Sequence, residues 1–299
     1  MDYKKLLPNQ EFRIKVLGLL DFLPDKLMIK LQYLIKTGKR LNLKKPKRFT
    51  EKLQWYKLYY RDPLMTQCAD KYSVREYVAS KGFREILVPL HGVYSQLKDI
   101  NFNLLPNKFV FKTNNGSRTN LLCKNKEDLD IHSTKKTLHS WLSNRTVKAG
   151  REWPYYNIEP KIICEEYIET GSSSDLVDYK FVCFSGQVSY IFVNSERDST
   201  EGLVFSIYDR DFQKVPYKRK GLRNTDINFT KPVNYEKMVE IAEKLSEDFP
   251  HVRVDLYNVD GKIYFGEMTF FHGSGYIEFE PDHFDFLLGA QFHLKKMVF

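Results

Sequence analysis

Residues 252–270 read VRVDLYNVDGKIYFGEMTF, in which two runs of β-branched and aromatic residues flank an Asp-Gly pair. Asp-Gly is a strong two-residue turn signal, and the flanking runs have the composition of strands. The stretch therefore predicts a β-hairpin with strands over Val252–Tyr257 and Lys262–Phe270, joined at Asp260-Gly261.

Four polar side chains interrupt the apolar pattern of this hairpin. Arg253 and Asp255 are two positions apart and so share one strand face, as do Glu267 and Thr269. Strand pairing would let all four converge in apolar surroundings, where an unpaired charge is costly. Mg²⁺ is bound by one or two carboxylates with nucleotide phosphates, so one interpretation is a metal site. The alternative is a surface Arg253–Asp255 ion pair beside a solvated Glu267.

The rest of the chain mixes helical and strand periodicities, and hairpins dominate its second half. This mixture favours an α+β (mixed α/β) fold over a purely parallel sheet. The further elements that periodicity predicts are helices over residues 11–36 (divided at Pro24), 49–60, 70–81, 129–142 and 235–248, and strands over 86–89, 109–112, 162–168, 178–184 and 187–194.

A lysine, Lys112, ends the apolar run Phe109–Lys112 and precedes the polar loop 113–120, TNNGSRTN. An ammonium group followed by the N–H groups of a glycine-containing loop suits a polyphosphate. No GxxxxGK[ST] pattern occurs, so the loop is not a Walker A motif. A solvated lysine at a strand end is the ordinary alternative.

Two further motifs have weaker functional interpretations. The run Glu165-Glu166-Tyr167-Ile168 ends a predicted strand, and such a strand end can offer its backbone to the edge of an adenine. Asp209-Arg210-Asp211, abbreviated DRD, has the Asp-x-Asp form with which many glycosyltransferases hold a metal-bound sugar nucleotide. An ordinary strand end and a chance match in a charged loop are the respective alternatives.

Positive charge is concentrated at the N-terminal end. The net charge is +9, and residues 1–60 contain 15 Lys/Arg and 5 Asp/Glu, so the remainder is close to neutral. This distribution argues against a nucleic-acid-binding function for the whole chain. The basic end either contacts an anionic membrane or acidic partner, or is a helical extension with solvated lysines.

The four cysteines lie far apart, with no Cys-x-x-Cys pair and no zinc-ligand spacing. Reduced thiols, the absence of an apolar run of about 18 residues and the absence of a signal-peptide pattern lead us to expect a cytoplasmic protein.

Five segments, taken in order, resemble the ATP-grasp superfamily, and in detail its TupA-like (teichuronopeptide biosynthesis) branch from bacterial surface-polysaccharide gene clusters. They span most of the chain, from about Asp70 to Gly289. The segments are DKYSVREYVASKGF (70–83), LPNKFVFKTNNGS (105–117), IICEEYIE (162–169), DYKFVCFSGQV (178–188) and RVDLYNVDGKIYFGEMTF (253–270).

The resemblance implies an ATP-grasp fold, in which two α+β subdomains clasp ATP. We expect a basic helical N-terminal region over residues 1–68, an N-terminal or lid subdomain over 69–166, and a metal-binding C-terminal subdomain over 167–299.

The resemblance also implies the residues that bind ATP and Mg²⁺. In the nucleotide site, Lys112 contacts the α- and β-phosphates, and Asn115, Gly116 and Ser117 form a mobile phosphate lid. The adenine hinge is formed by Glu165, Glu166, Tyr167 and Ile168. Further nucleotide contacts are Asp178 to the ribose, Lys180 to a phosphate or adenine, and Arg197 to the γ-phosphate. The metal is held by Asp255, Glu267 and Thr269, and Arg253 stabilises charge that develops during transfer.

One triplet departs from the pattern of many ATP-grasp ligases. These use Glu-x-Asn for the metal, whereas this chain has Glu267-Met268-Thr269. A hydroxyl therefore replaces a carboxamide oxygen, which is the stronger ligand.

The function implied by the resemblance is an ATP-dependent carboxylate–amine ligase acting through an acyl phosphate. The expected substrates are a uronic acid or similar carboxylate on a polysaccharide precursor and an amino acid or amine, with ATP and Mg²⁺ as cofactors. Residues 1–60 are expected to contact an anionic membrane or glycan, and no nucleic-acid partner is expected. The alternatives are a glycosyltransferase that uses Asp209 and Asp211, an ATP-grasp sugar kinase, and a non-catalytic scaffold.

Overall fold

The computed structural model describes residues 18–116, 119–143, 150–170, 176–195, 203–224 and 228–295. Its helices are α1 (Asp25–Thr37), α2 (Phe49–Tyr59), α3 (Pro63–Ala69), α4 (Val74–Ser80), α5 (Ile131–Ser143), α6 (Tyr235–Ser246) and α7 (His283–Gln291). Its strands are β1 (Leu90–Tyr94), β2 (Phe109–Thr113), β3 (Asn120–Cys123), β4 (Ile162–Glu166), β5 (Asp178–Phe184), β6 (Gln187–Ser195), β7 (Val204–Asp209), β8 (Lys218–Arg219), β9 (Arg223–Asn224), β10 (Val252–Val259), β11 (Lys262–Thr269) and β12 (Phe279–Glu280).

The chain divides into two compact units. The first comprises Met1–Asp62, Lys148–Trp153 and Ser172–Phe299, and the second comprises Pro63–Val147 and Pro154–Gly171. The N-terminal helices α1 and α2 thus pack with the C-terminal part of the chain. The division into 1–68, 69–166 and 167–299 stays a prediction.

A six-stranded sheet forms the centre of the first unit, in the order β11-β10-β5-β6-β7-β9. Neighbouring strands are antiparallel, except that β7 and β9 are parallel. Helix α6 packs against β5, β6 and β10 and buries an apolar stripe that includes Met238, Ile241 and Leu245. The opposite face of the sheet carries the polar side chains of the β10–β11 hairpin.

Both predicted hairpins are present, β10–β11 and β5–β6. At their turns, Asp260 and Gly261 have φ of 50° and 86°, and Ser185 and Gly186 have φ of 48° and 80°. Positive φ at both central residues is the geometry of a type I′ turn, which matches the twist of the flanking strands. Local turn chemistry therefore accounts for both connections.

Helix α2 is almost fully buried within the first unit, with buried residues from Phe49 to Lys57. It packs against α1, α7 and the turn at His272–Gly275. Phe49 lies edge-on to Phe184 and to His251, at centroid distances of 5.8 and 5.0 Å. This helix is thus part of the core and not a solvated extension.

The second unit is built on an antiparallel four-stranded sheet in the order β1-β4-β2-β3. Its core joins one face of this sheet to α5 through Phe109, Phe111, Cys164 and Leu138. The strand predicted over 86–89 is wrong, because a 3₁₀ turn occupies Arg84–Ile86 and the strand β1 begins after Pro89. Proline lacks the N–H that a ladder position requires. The helix predicted over 70–81 is shorter, and forms only at Val74–Ser80.

Within the described ranges, no helix is both long enough and apolar enough to cross a bilayer.

Candidate functional site

A group of mostly buried polar side chains lies on the face of the first unit's sheet opposite helix α6. Asp255 pairs with Glu267 across β10 and β11, and with Lys180 across β10 and β5. Arg253 pairs with Thr269 in the same hairpin. Directly paired residues of antiparallel strands point to one face, so these five side chains converge. Together with Asp178 they are called the carboxylate cluster below.

Asp255 is the centre of the carboxylate cluster and is 1% exposed. Arg253 donates from Nε to Oδ1 at 2.6 Å and from Nη2 to Oδ2 at 2.7 Å. Lys180 donates from Nζ to Oδ2 at 2.5 Å. Such charge-assisted bonds are the strong hydrogen bonds of proteins, and here they compensate a carboxylate removed from water.

Lys180 bridges two buried carboxylates, because its Nζ also lies 2.6 Å from Oδ2 of Asp178. Asp178 is fully buried, and it pairs with Asn194 of β6 in the sheet. Burial lowers the pKa of Lys180, while neighbouring Asp255 acts in the opposite direction. The charged form of Lys180 therefore depends on these two carboxylates.

Glu267 and Thr269 form the more open edge of the cluster, and the Glu267 side chain is 37% exposed. The Thr269 hydroxyl donates to Oε1 of Glu267 at 3.0 Å and accepts from Nη2 of Arg253 at 3.0 Å. Nη2 of Arg253 also lies 3.2 Å from Oε1 of Glu267. The Thr269 hydroxyl thus lies beside the Glu267 carboxylate, at the position for which the sequence pattern predicted a metal ligand.

The donor set of the cluster fits Mg²⁺. Asp255, Glu267 and Thr269 offer only oxygen atoms, which a hard cation prefers, and the two carboxylates lie opposite each other. Across the cluster, three carboxylates face two cationic side chains, so a negative charge remains for a cation to neutralise. In the described part of the chain, no three His, Cys, Asp or Glu residues are arranged to hold a metal. Two carboxylates suffice when phosphates and water complete the shell, as is common for Mg²⁺.

Lys112 and Glu165 meet on the second unit's sheet, on the face opposite its core. The Lys112 Nζ lies 2.6 Å from Oε2 of Glu165, and Arg75 lies 3.8 Å from Oε1. Glu165 is 8% exposed, whereas Glu166 points to the other face and is exposed. The two adjacent glutamates therefore cannot act together through their side chains.

The polar loop is built onto the start of the α4 segment. Asn114 is fully buried, and its side chain donates to Asp70 and to the carbonyl of Glu159, each at 3.0 Å. Lys71 donates from Nζ to the carbonyl of Gly116 at 2.7 Å. A Cβ on Gly116 would lie 2.2 Å from the Thr113 hydroxyl oxygen, so a larger residue would require the Thr113 side chain to move.

The remaining predicted site residues have simpler surroundings. Tyr167 and Ile168 follow β4 in irregular backbone and are half-buried, and Asn115 is half-buried in the polar loop. Ser117 and Arg197 lie outside the described residues. The roles assigned to all these residues stay predictions.

The DRD triplet has a structural use. The Asp209 carboxylate accepts the backbone N–H groups of Asp211 and Gln213 at 3.1 and 2.7 Å, which closes the turn after β7. Arg210 pairs with Glu243 of α6 at 3.2 Å. A carboxylate that holds a turn in this way does not favour the glycosyltransferase alternative.

Sequence reasoning missed several residues around these clusters. His272 follows β11, is 3% exposed, and packs 5.3 Å from Phe192 between ring centroids. Burial and the charges of Arg253, Arg219 and Lys180 hold its pKa well below the usual value, so its imidazole is neutral. No sequence pattern points to His272. Lys71 and Arg75 lie in the segment 70–83 that resembles the ATP-grasp superfamily, but no role was predicted for them.

Several ligases are among the solved structures to which this chain is similar. The D-alanine–D-alanine ligase of Bacillus anthracis complexed with ATP is 15% identical, over 68% of this chain and 54% of that chain, with a TM-score of 0.41. The D-alanine–D-alanine ligase of Helicobacter pylori is 16% identical, over 76% and 61%, with a TM-score of 0.43. The L-amino acid ligase of Bacillus licheniformis is 14% identical, over 70% and 42%, with a TM-score of 0.40.

The chain spans only about half of the length of these ligases. Among curated proteins, none matches the chain.

The family comparison covers most of the chain. The family described as TupA-like ATPgrasp matches residues 51–293. This range includes β2, β4 and the whole carboxylate cluster. It confirms the ATP-grasp, mixed α/β fold that the sequence predicted. The chain therefore belongs to the TupA-like ATP-grasp family.

Proposed function

We propose that this chain is an ATP-dependent carboxylate–amine ligase, an enzyme that forms an amide and releases ADP and phosphate. Membership of an ATP-grasp family supports an ATP-using enzyme. The observation that carries the proposal is the carboxylate cluster, in which Asp255 and Glu267 face each other beside Arg253 and Lys180. Such a group supplies oxygen ligands for a metal and cations for phosphate on one surface.

In this proposal Asp255, Glu267 and Thr269 hold Mg²⁺, which when bound neutralises phosphate charge. Arg253 and Lys180 neutralise Asp255, and their positive charges would also attract phosphate oxygens at this site. Asp178 keeps Lys180 in position through their ion pair at 2.6 Å. Arg253 and Lys180 would thus each have two roles, neutralising Asp255 and contacting phosphate oxygens.

Nucleotide contacts are proposed for residues of the second unit as well. Lys112 contacts the α- and β-phosphates, and its ion pair with Glu165 sets the direction of the ammonium group. Asn115, Gly116 and Ser117 cover the phosphates with backbone N–H groups. The adenine hinge is proposed at Glu165, Glu166, Tyr167 and Ile168, the ribose contact at Asp178, and the γ-phosphate contact at Arg197.

The reaction has two steps. A carboxylate oxygen of the acid attacks the γ-phosphorus of ATP, and the bond from this phosphorus to the β-phosphate oxygen breaks. ADP departs, and the acid becomes an acyl phosphate. The amine nitrogen then attacks the acyl carbon, phosphate leaves, and the nitrogen loses a proton to give the amide. Arg253 and Lys112 stabilise the charge that builds on the transferring phosphoryl group.

The acid is proposed to be a uronic acid or similar carboxylate on a precursor of bacterial capsular or surface polysaccharide, and the second substrate an amino acid or amine. The enzyme is proposed to work in the cytoplasm, where the basic residues 1–60 contact an anionic membrane or glycan.

Product analysis tests the proposal. The purified chain, given Mg²⁺ and ATP, should release ADP only when both an acid and an amine are present, and mass spectrometry should find the amide. ADP release with a sugar alone and a phosphorylated sugar product would establish the sugar kinase instead. Asp255→Asn should abolish turnover, whereas the control Asp211→Asn, in an exposed turn, should not. Loss of turnover in Asp211→Asn alone would point back to the glycosyltransferase.

A further inference from the structure

Helix α1 is fixed to the first unit by its inner face. Met28, Ile29, Gln32 and Tyr33 are each at most 3% exposed. The Tyr33 hydroxyl hydrogen-bonds that of Thr50 at 2.9 Å. The Gln32 side chain accepts a hydrogen bond from the Tyr276 hydroxyl at 2.8 Å. The orientation of the helix is therefore set by buried contacts.

The outer face of α1 is apolar, which is the reverse of an ordinary surface helix. Leu27, Leu31, Leu34 and Ile35 are 53%, 40%, 47% and 46% exposed. Their spacing of i, i+4, i+7 and i+8 places them in one stripe about 100° wide, opposite the buried stripe. The helix thus has two apolar faces, only one of which is covered by the described residues.

The segment just before α1 also exposes large apolar side chains. Leu19 and Phe22 are 77% and 79% exposed, among the highest values for large apolar side chains in the described chain. Six exposed large apolar side chains therefore lie within 17 residues of the chain. Scattered surface leucines are normal, but a concentration of this kind marks an interaction site.

Basic side chains border this apolar stripe. Lys26 and Lys30 are exposed and, at 100° per residue, lie between the outer and inner faces of α1. The connector after α1, residues 38–48, adds further exposed basic residues, namely Arg40, Lys44, Lys45 and Lys47.

The two acidic residues of this region are partly exposed, and each is paired with a basic side chain. The aspartates of residues 18–48 are Asp21 and Asp25. Their carboxylates lie 3.7 and 3.1 Å from the guanidinium of Arg151, which is 3% exposed. The exposed strip is therefore both apolar and strongly positive.

We infer that the outer face of α1 and the basic connector 38–48 dock on an anionic lipid bilayer. This deepens the proposed peripheral contact of residues 1–60 and commits it to a membrane. Leu27, Leu31, Leu34 and Ile35 enter the boundary between headgroups and acyl chains, while Lys26 and neighbouring basic residues reach anionic headgroups. A soluble polyanion would match the charge but leave the apolar stripe in water, which is why a bilayer fits better.

Vesicle co-sedimentation of the full chain tests this inference. Binding is expected to vesicles containing phosphatidylglycerol, weak binding to pure phosphatidylcholine, and loss of binding in about 1 M salt, where the Debye length falls to about 3 Å. The variant Leu27→Gln/Leu31→Gln/Leu34→Gln/Ile35→Gln should weaken partitioning by about tenfold or more. Its matched control, Leu104→Gln/Val233→Gln, changes side chains that are 81% and 66% exposed and should bind normally.

A charge variant provides the second arm. Lys26→Gln/Lys30→Gln should weaken binding to anionic vesicles, whereas Lys98→Gln/Lys136→Gln, exposed elsewhere, should not. Equal binding by the variant and its control, in either arm, would overturn the inference. So would a dimer in sedimentation velocity that the four-residue variant dissociates, because the stripe would then be a self-association surface. The assay contains no ATP, so its failure leaves the proposed ligase function untouched.

Discussion

The buried Lys57 makes the free energy of unfolding depend on pH. It lies in the buried helix α2, is 1% exposed, and donates from Nζ to the carbonyl oxygens of Gly150 and Ser274 at 2.9 and 2.7 Å. Burial lowers its pKa from 10.5 to about 7, against the opposing charge of Glu152. A neutral amine keeps two N–H groups, which matches the two carbonyl acceptors.

The pH dependence of stability follows from this shift. Between the folded pKa near 7 and the unfolded value of 10.5, the unfolded chain binds a proton that the folded chain does not. The free energy of unfolding therefore rises with pH through this window, by up to about 1.4 kcal/mol per pH unit. From pH 7 to pH 9 the rise from Lys57 alone amounts to about 2 kcal/mol.

The test compares the wild type with Lys57→Met in urea unfolding at pH 7, 8 and 9, followed by tryptophan fluorescence. The variant leaves two carbonyls without a donor, which costs about 1–3 kcal/mol each, but it lacks the pH-dependent contribution. The wild type should therefore gain about 2 kcal/mol on the variant between pH 7 and pH 9. Lys237→Met, at an exposed lysine of α6, should leave the pH dependence as in the wild type. Parallel pH profiles for the wild type and Lys57→Met would show that the pKa of Lys57 is not lowered in the folded chain.

Three further predictions concern substitutions at Asp255, Gly275 and Gly116. Asp255→Asn removes the carboxylate partner of the buried Lys180, 2.5 Å away, and should lower the free energy of unfolding by about 3–5 kcal/mol in urea titration. Asp255→Asn/Lys180→Met should recover part of this loss, because no lysine is then left without its partner. Gly275→Ala places a Cβ 2.5 Å from a buried amide at φ +68°, so its thermal midpoint should fall with a destabilisation of about 1–3 kcal/mol. Gly116→Ala should raise the Kd for ATP by about tenfold, because its Cβ would meet the Thr113 hydroxyl at 2.2 Å, whereas Gly18→Ala has no atom within 4 Å and should not. Unchanged unfolding in the first two, or unchanged ATP affinity in the third, would contradict the described contacts.

The features that the sequence predicted well are local ones. The β10–β11 hairpin follows from the Asp260-Gly261 turn and from alternation along each strand, and these also place Asp255 opposite Glu267. The alternation of side chains along a strand can be read from the sequence without knowing which distant segments pair with it. That is why the polar face of the hairpin was predictable.

Contacts between distant segments were not predictable in the same way. The Lys112–Glu165 ion pair joins residues 53 positions apart, and it depends on the pairing of β2 with β4. The sequence pattern assigned these two residues to separate parts of a nucleotide site. Their mutual neutralisation becomes visible only when the sheet order is known.

The N-terminal end shows a second limit of reasoning from composition. Counting charges marked residues 1–60 as basic, but α2 within this range is core, and Lys57 within it is buried. A charge count does not tell which lysines have carbonyl partners. Periodicity found the apolar positions of α1, yet it did not separate the buried stripe from the exposed one.

Calorimetric titration of ATP into the wild-type chain, with and without Mg²⁺, tests whether the carboxylate cluster holds the metal. Binding is expected to require Mg²⁺ and to be lost in Asp255→Asn, measured where circular dichroism shows the variant to be folded. ATP binding of equal strength without Mg²⁺ or without the Asp255 carboxylate would contradict the metal role of the carboxylate cluster. An absence of ATP binding under all conditions would contradict the proposed function itself.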